Sequence, residues 1–386
     1  MEDFQPQKEK YLFLYLNTGN GHKAPAMALK EELEKYYNIE VVLMPGFAPK
    51  QVIARSFFED GYHATTAAMP AAYSAFYDIT TNKIVLRLCQ AGCTIVTQFY
   101  LRKILKQRQI TKVVCFHFAV GPAAKRAIQA VNPKIPYIVN ITDPFTAHPA
   151  WYLVKNANFI AYSARLKEEM VQNHGINANK IGVFPFIIGS QFFCENDANI
   201  LSRYKSANGI PPENKCILLA GGGEGLPGAA KILGELCRRI EPNEKISIIA
   251  VCGRNKSQNA IMQKQAKIHK NVDIHVLGFV ENMHELIKIS DCVVTKAGAS
   301  MMMQILACQK PSIFTTYIHG QEKGNIEYVL QNGVGWFSRS PKTNANTALR
   351  LCRDRDFAQS AAIRLAKLNV KPDVPKIAKY IVEVEK

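Results

Sequence analysis

The sequence predicts an α/β protein built from two doubly wound domains. Short apolar runs alternate with helical lengths along most of the chain, and one polar, proline-bearing stretch interrupts that alternation. Glycine-rich turns follow several of the runs, as they do where strands lead into helices. The 386 residues are too many for one ordinary core, and about 100 to 200 residues per domain suggests two.

Residues 11–16 form the first apolar run and read as a buried strand, followed by a glycine turn and a helical stretch over 24–37. Residues 113–118 and 137–141 read as further buried strands, and 181–186 closes the first set. Residues 196–214 are polar and contain Pro211-Pro212, which places the connection between domains at about 188–214. The second alternation runs through 217–220, 246–251, 274–277, 292–295 and 312–315. The expected domains are 1–190 and 191–355, with the last helix and tail, from about 356 to 386, crossing back onto the first. Open sheets of this kind bind ligands beyond the carboxyl ends of their strands, so two such domains facing each other are expected to enclose a cleft.

Composition excludes several classes. With 48% hydrophobic and 20% charged residues the chain is globular rather than disordered. No uninterrupted apolar run reaches the roughly 18 residues of a membrane span, and the first ten residues are charged rather than signal-like, so the expected location is the cytoplasm. The ten cysteines form no CxxC pair; Cys89 and Cys93 lie one helical turn apart with no second pair nearby. Reduced thiols are expected, and neither a zinc site nor any other metal.

The formal charge of +17 implies an anionic partner: nucleic acid, acidic lipid or phosphorylated substrate. No acidic residue lies between Asp78 and Asp143, whereas Lys83, Arg87, Arg102, Lys103, Lys106, Arg108, Lys112, Lys125, Arg126 and Lys134 are basic. Over 84–110 these cations are mixed at helical spacing with Leu86, Leu88, Ile95, Val96, Phe99, Leu101 and Leu105. Such a helix suits an anionic lipid surface, its apolar face in the lipid and its cations at the headgroups. A core-packed helix with a solvated basic face fits the composition equally well. Nucleic acid is disfavoured, because no reader motif accompanies the charge.

The turns carry the candidate chemistry. In Asn17-Thr18-Gly19-Asn20-Gly21-His22-Lys23 the glycines let backbone amides approach a ligand, and His22 is placed to face the cleft as a general base; the alternative is a histidine that caps the helix. Gly223, Gly225 and Gly228 satisfy G-x-G-x-x-G, but the next strand ends in Cys252-Gly253-Arg254 with no acid for a ribose. A turn that receives phosphates on Gly222 and Gly223, with Arg254 as a further cation, fits better than a dinucleotide site. Lys296-Ala297-Gly298-Ala299-Ser300 opens a helix whose first amides would bind a diphosphate. Gln321, Glu322 and Asn325 supply two amides and a carboxylate suited to sugar hydroxyls, or else form a solvated loop. In the segment 142–151, Asp143 and His148 would orient an acceptor or assist His22, or Asp143 would only cap the turn before Pro144.

Seven ordered blocks resemble the monogalactosyldiacylglycerol synthases and processive diacylglycerol glucosyltransferases of glycosyltransferase family 28. They are Gly19-Asn20-Gly21-His22-Lys23-Ala24; Thr142-Asp143 with Ala147-His148-Pro149-Ala150-Trp151; and Gly221-Gly222-Gly223-Glu224-Gly225. Gly253-Arg254-Asn255, Gly278-Phe279-Val280 with Asn282-Met283, Thr295-Lys296-Ala297-Gly298 and Gly320-Gln321-Glu322-Lys323-Gly324-Asn325 complete the set. The resemblance implies a GT-B fold and an inverting transfer of glucose or galactose from a UDP-sugar to diacylglycerol or a glycosyl-diacylglycerol. It implies peripheral attachment to the inner face of the cell membrane and no cofactor. His22 matches the proposed base, with Asp143 assisting and His148 and Trp151 on the acceptor side. Gly21, Gly222, Gly223 and Arg254 fall with the donor, and Phe279, Val280 and Met283 match the uracil pocket. Lys296, Gly298, Ala299 and Ser300 match the diphosphate turn, and Gln321, Glu322 and Asn325 the loop near sugar and ribose.

Two positions depart from the family pattern: Met301 stands where a hydroxyl residue is usual, and Gln304 where a ribose-binding glutamate is usual. Hydrogen bonds to an ionised group are roughly twice as strong as those to a neutral amide, so these changes bear on UDP affinity or nucleotide choice. Ser300 offers a hydroxyl one position earlier. The alternatives are an N-acetylglucosaminyltransferase acting on a polyprenyl-linked peptidoglycan precursor, and a membrane-surface binding protein without catalysis.

Overall fold

The computed structural model describes residues 8–17, 20–56, 58, 70–193 and 197–385. The chain divides into two compact units. The first runs to Ile187 and includes His319–Gln321 and the stretch from Asp373; the second comprises Ile188–Ile318 and Glu322–Pro372.

The first unit is a parallel sheet of β1 (Glu9–Tyr15), β2 (Ile39–Pro45), β3 (Lys112–Cys115), β4 (Tyr137–Asn140), β5 (Asn158–Ala161) and β6 (Ile181–Val183) in the order β2-β1-β3-β4-β5-β6. Both faces of its central strands are covered, so Tyr11–Tyr15 and Lys112–Cys115 are buried at every position, and Tyr11–Tyr15 and Val113–Cys115 run continuously apolar instead of alternating. β2 and β5 escape the sequence reading. β2 is a half-buried edge strand carrying Glu40, and β5 is only four residues long. The chain passes from β1 outward to β2, then returns to place β3 on the other side of β1, which creates a switch point between β1 and β3.

Helix Lys83–Gln107, capped by the Asn82 side chain, lies along helix Gly121–Val131 and buries Leu86, Leu101 and Leu105. Its other polarity is inverted: Gln90, Thr94, Thr97 and Gln98 are buried, while Ile84 and Leu88 are 70% and 71% exposed and Ile95, Val96 and Phe99 are exposed with them. By length and composition Ile84–Gln107 could cross a membrane, which a search for uninterrupted apolar runs misses because cations interrupt it. The C-terminal helix Val374–Glu383 packs on helix Asn20–Tyr36. Buried Lys112 donates from Nζ to the carbonyls of Ile381 and Val382 at 2.6 and 2.8 Å, pairing a cation with the last turn of that helix.

The second unit is a parallel sheet of β7 (Lys215–Ala220), β8 (Ile246–Val251), β9 (Asp273–Leu277), β10 (Cys292–Thr295), β11 (Ser312–Phe314) and β12 (Gly335–Phe337), ordered β12-β11-β10-β7-β8-β9. Its switch point lies between β7 and β10. The segment that joins the first unit starts at Asp373, later than the sequence suggests, because helix Arg355–Leu368 places Ala361 in the core of the second unit.

Candidate active site

In the first unit three strand ends converge at the switch point. His22 lies in the first turn of helix Asn20–Tyr36, immediately after β1; Phe116 and His117 follow β3, and Thr142 and Asp143 follow β4. His22 Nδ1 is 2.7 Å from the carbonyl of Phe116 and 2.9 Å from Thr142 Oγ1. A carbonyl only accepts, so Nδ1 carries the proton and Nε2 keeps the lone pair. Burial lowers the His22 pKa from 6.5 to about 4, against a smaller upward pull from the Phe116 carbonyl, so the ring is neutral near pH 7. The arrangement presents one basic nitrogen in a fixed orientation, which is what proton abstraction from a hydroxyl requires.

His117, which the sequence reading passed over inside an expected strand, packs against His22 with ring centres 4.6 Å apart. Its Nδ1 accepts from the amide of Ala119 at 3.2 Å, and burial, then the neighbouring His22, holds its pKa well below the usual value. The signal that would have found it is its position just past the carboxyl end of a buried strand.

Three expected residues are used differently. Asp143 accepts from Trp151 Nε1 at 2.9 Å and from Gln321 Nε2 at 3.1 Å, so the group that steadies His22 is its neighbour Thr142. Trp151 and His148, expected on the acceptor side, are only 2% and 8% exposed. His148 caps the 3-10 turn Pro149–Leu153, accepting from the amide of Ala150 at 3.1 Å through Nδ1, while its Nε2 lies 3.2 Å from Thr80 Oγ1. The Trp151 ring lies 6.4 Å from His22, whereas His148 packs against Tyr77 and Phe118.

Of the predicted donor residues, Gly21 and Gln321 belong to the first unit, and those in the second unit lie at the carboxyl edge of its sheet. After β7 and β8 two backbones touch: Arg254 N donates to the Gly223 carbonyl at 2.7 Å, and a Cβ on Gly253 would stand 2.2 Å from that oxygen. Only glycine, here at φ +59°, permits the approach. The Arg254 guanidinium sits 4.2 Å from the ring centre of Phe279, which follows β9 and is 44% exposed. Val280 and Met283 stand beside it, partly buried, at the start of helix Met283–Ile289.

After β10, Gly298 caps helix Ala299–Ala307 without a side-chain hydrogen bond, so the amides of Ala299 and Ser300 are left for a ligand. Glu322 Oε2 accepts from the amide of Ile318 at 2.7 Å, and Asn325 Nδ2 donates to the Ala297 carbonyl at 2.8 Å. Asn325 Oδ1 is buried without a partner. Met301 is buried packing, and Gln304 is partly buried. Among the described residues no group of three or more His, Cys, Asp or Glu is placed to hold a metal ion.

Two family models match the chain: monogalactosyldiacylglycerol (MGDG) synthase over residues 22–187 and the glycosyltransferase family 28 C-terminal domain over 217–346. Monogalactosyldiacylglycerol synthase 1, chloroplastic, of Arabidopsis thaliana is 25% identical over 382 residues, covering 93% of this chain and 68% of its own length. Probable monogalactosyldiacylglycerol synthase 2, chloroplastic, of Oryza sativa subsp. indica is 30% identical over 226 residues; the match covers 58% of this chain and about half, 47%, of that relative. Among solved structures, Acinetobacter baumannii MurG superposes with a TM-score of 0.65 at 14% identity, covering 97% of this chain and all of that one. Anabaena Alr3699/HepE in complex with UDP and glucose superposes with a TM-score of 0.58 at 14% identity, covering 97% and 98%. These structural likenesses show the fold, which is GT-B.

Proposed function

The chain belongs to the monogalactosyldiacylglycerol synthase group of glycosyltransferase family 28 and is a glycosyltransferase, and from that premise we propose that it transfers glucose or galactose from a UDP-sugar to diacylglycerol or a glycosyl-diacylglycerol at an anionic membrane surface. The observation that carries the reading is His22, whose Nδ1 is held by the Phe116 carbonyl so that Nε2 is left as a base.

The acceptor hydroxyl gives its proton to His22 Nε2 as its oxygen bonds to the sugar C1, and the bond from C1 to the diphosphate oxygen breaks. UDP leaves and the anomeric centre inverts. Charge grows on the diphosphate in the transition state, and Lys296, Arg254 and the amides of Ala299 and Ser300 are assigned to it; fixed donors aimed at growing charge lower a barrier more than contacts made equally in the ground state. No metal is assigned. Phe279, with Arg254 over one part of its ring, offers an exposed face to the uracil.

The membrane part rests on helix Lys83–Gln107. A soluble fold gains little by exposing Ile84, Leu88, Ile95, Val96 and Phe99 on one stripe, with Phe76 and Ile79 exposed on the helix before it. Lys103 and Lys106 continue the stripe as cations. Because the opposite side packs into the unit, the helix is read as lying in the interface rather than spanning the bilayer.

The test is glycolipid formation on vesicles of diacylglycerol and phosphatidylglycerol, with UDP-glucose and UDP-galactose supplied separately and His22→Ala alongside. Product is expected with one donor. The variant should lose about 10²- to 10⁴-fold in turnover, the usual worth of a general base, while its UDP affinity by calorimetry stays within about twofold. Wild-type turnover in His22→Ala would remove the base assignment.

A further inference from the structure

His22 has a second imidazole beside it that the proposed sugar transfer leaves unused. His117 is 4% exposed, with its ring centre 4.6 Å from that of His22 and 4.6 Å from that of Phe118. It is held at both ends. Its carbonyl accepts from the Val120 amide and from Cys115 Sγ, each at 3.2 Å, and its Nδ1 accepts from the Ala119 amide at 3.2 Å.

A backbone amide only donates, so the neutral His117 ring carries its proton on Nε2. This is the opposite tautomer to that of His22, whose Nδ1 is protonated against the Phe116 carbonyl. The neighbouring rings therefore supply one free lone pair and one free N–H. No group among the described residues accepts from Nε2 of His117. A donor this deeply enclosed costs free energy until something accepts from it, which marks the place of a ligand oxygen.

The chemistry of the transfer narrows which oxygen that is. The reacting hydroxyl gives its proton to His22 and needs its lone pair for the sugar carbon, and an N–H donated to it would hold that pair back. Diacylglycerol has few other polar groups. Its esters only accept hydrogen bonds, and in a 1,2-diacylglycerol one of them sits on the carbon next to the free hydroxyl.

We propose that His117 recognises the acyl ester of the lipid acceptor: its Nε2–H donates to the carbonyl oxygen of the ester adjoining the reacting hydroxyl and so holds that hydroxyl toward Nε2 of His22. The contact rests on the reading of diacylglycerol as the acceptor, and it divides the two histidines into one that binds and one that takes the proton. Selection of an ester over an ether at that carbon follows, because an ether lacks the carbonyl and leaves the enclosed donor unpaired.

The test compares 1,2-diacylglycerol with 1,2-dialkylglycerol of matched chain length, each at the same mole fraction in mixed micelles containing phosphatidylglycerol. For the wild type, His117→Leu and His117→Gln, kcat/KM is measured with each lipid, and circular dichroism melts confirm that the variants are folded. The wild type is expected to prefer the ester at least about tenfold. His117→Leu should bring that ratio to within about threefold of unity, and His117→Gln, which keeps an N–H donor, should retain most of it. A packing role alone would slow both lipids alike and leave the ratio unchanged. Equal kcat/KM for ester and ether in the wild type, which needs no variant, would overturn the contact. An unchanged ratio in His117→Leu, or the same loss in His117→Gln as in His117→Leu, would overturn it too. Product from neither lipid with either UDP-sugar would instead refute the diacylglycerol reading on which the contact depends.

Discussion

Acidification distinguishes a partly buried His22 base with a lowered pKa from an ordinary imidazole. Burial lowers the ring from 6.5 to about 4. At pH 5.5 the neutral fraction is then about 97%, against about 9% for an unperturbed ring. Initial rates measured far below both KM values report the free enzyme, so kcat/KM should stay level from pH 8 to about 5, where an unperturbed base would already have lost more than tenfold. The fold sets the lower limit of the experiment. Burial also lowers His148 to about 4 and holds His117 well below the usual value. Below 6.5 the unfolded chain binds protons on these rings and the native chain does not, so stability is lost as pH falls from about 6.5 toward about 4. For His148 alone that loss is about 1.4 kcal/mol at pH 5.5 and about 3 kcal/mol below pH 4. Rates are therefore paired with circular dichroism melts in the same buffers and used only where the protein is folded. An acid limb centred near 6.5 in folded protein would refute a desolvated His22 as the base.

Gly253→Ala should drive a methyl into the Gly223 carbonyl at a backbone φ of +59°. A cost of about 1–3 kcal/mol is expected, with UDP affinity by calorimetry falling at least tenfold as the Arg254 amide loses its place. Lys112→Met removes both hydrogen bonds to Ile381 and Val382. If they contribute about 2 kcal/mol net, trypsin should cut after Lys376 or Lys379 about 30-fold faster while circular dichroism changes little. EDTA is expected to leave glycolipid synthesis unchanged, since cationic side chains and helix amides are assigned the diphosphate; a loss restored by added magnesium would move that role to a metal.

The turns assigned to the donor were more legible in the sequence than the surroundings of His22. Each donor turn is local: Gly253 and Arg254 are neighbours, and Lys296 through Ser300 join one strand to one helix, so residue type and order already describe the turn. The partners of His22 are not local. Phe116 and Thr142 are 94 and 120 residues away, and they reach it because β3 and β4 follow β1 in the sheet. His148 misleads for a related reason. A histidine after a strand reads as functional, and only the nearby Ala150 amide and Thr80 hydroxyl show that its ring is already occupied.

What the sequence alone determined is the α/β alternation, the two sets of strands, the glycine turns at their carboxyl ends and the acid-free basic stretch. These follow from hydrophobic period and backbone freedom, which are properties of neighbouring residues. The tertiary structure decided the order of strands, the tautomer and low pKa of His22, the burial of Trp151, and which side of helix Lys83–Gln107 is exposed. Composition left that helix undecided between core and membrane because its apolar residues occur on both sides. Leu86, Leu101 and Leu105 found the core, and Ile84, Leu88 and Phe99 were left outside it, since only contacts across the fold determine which stripe is covered.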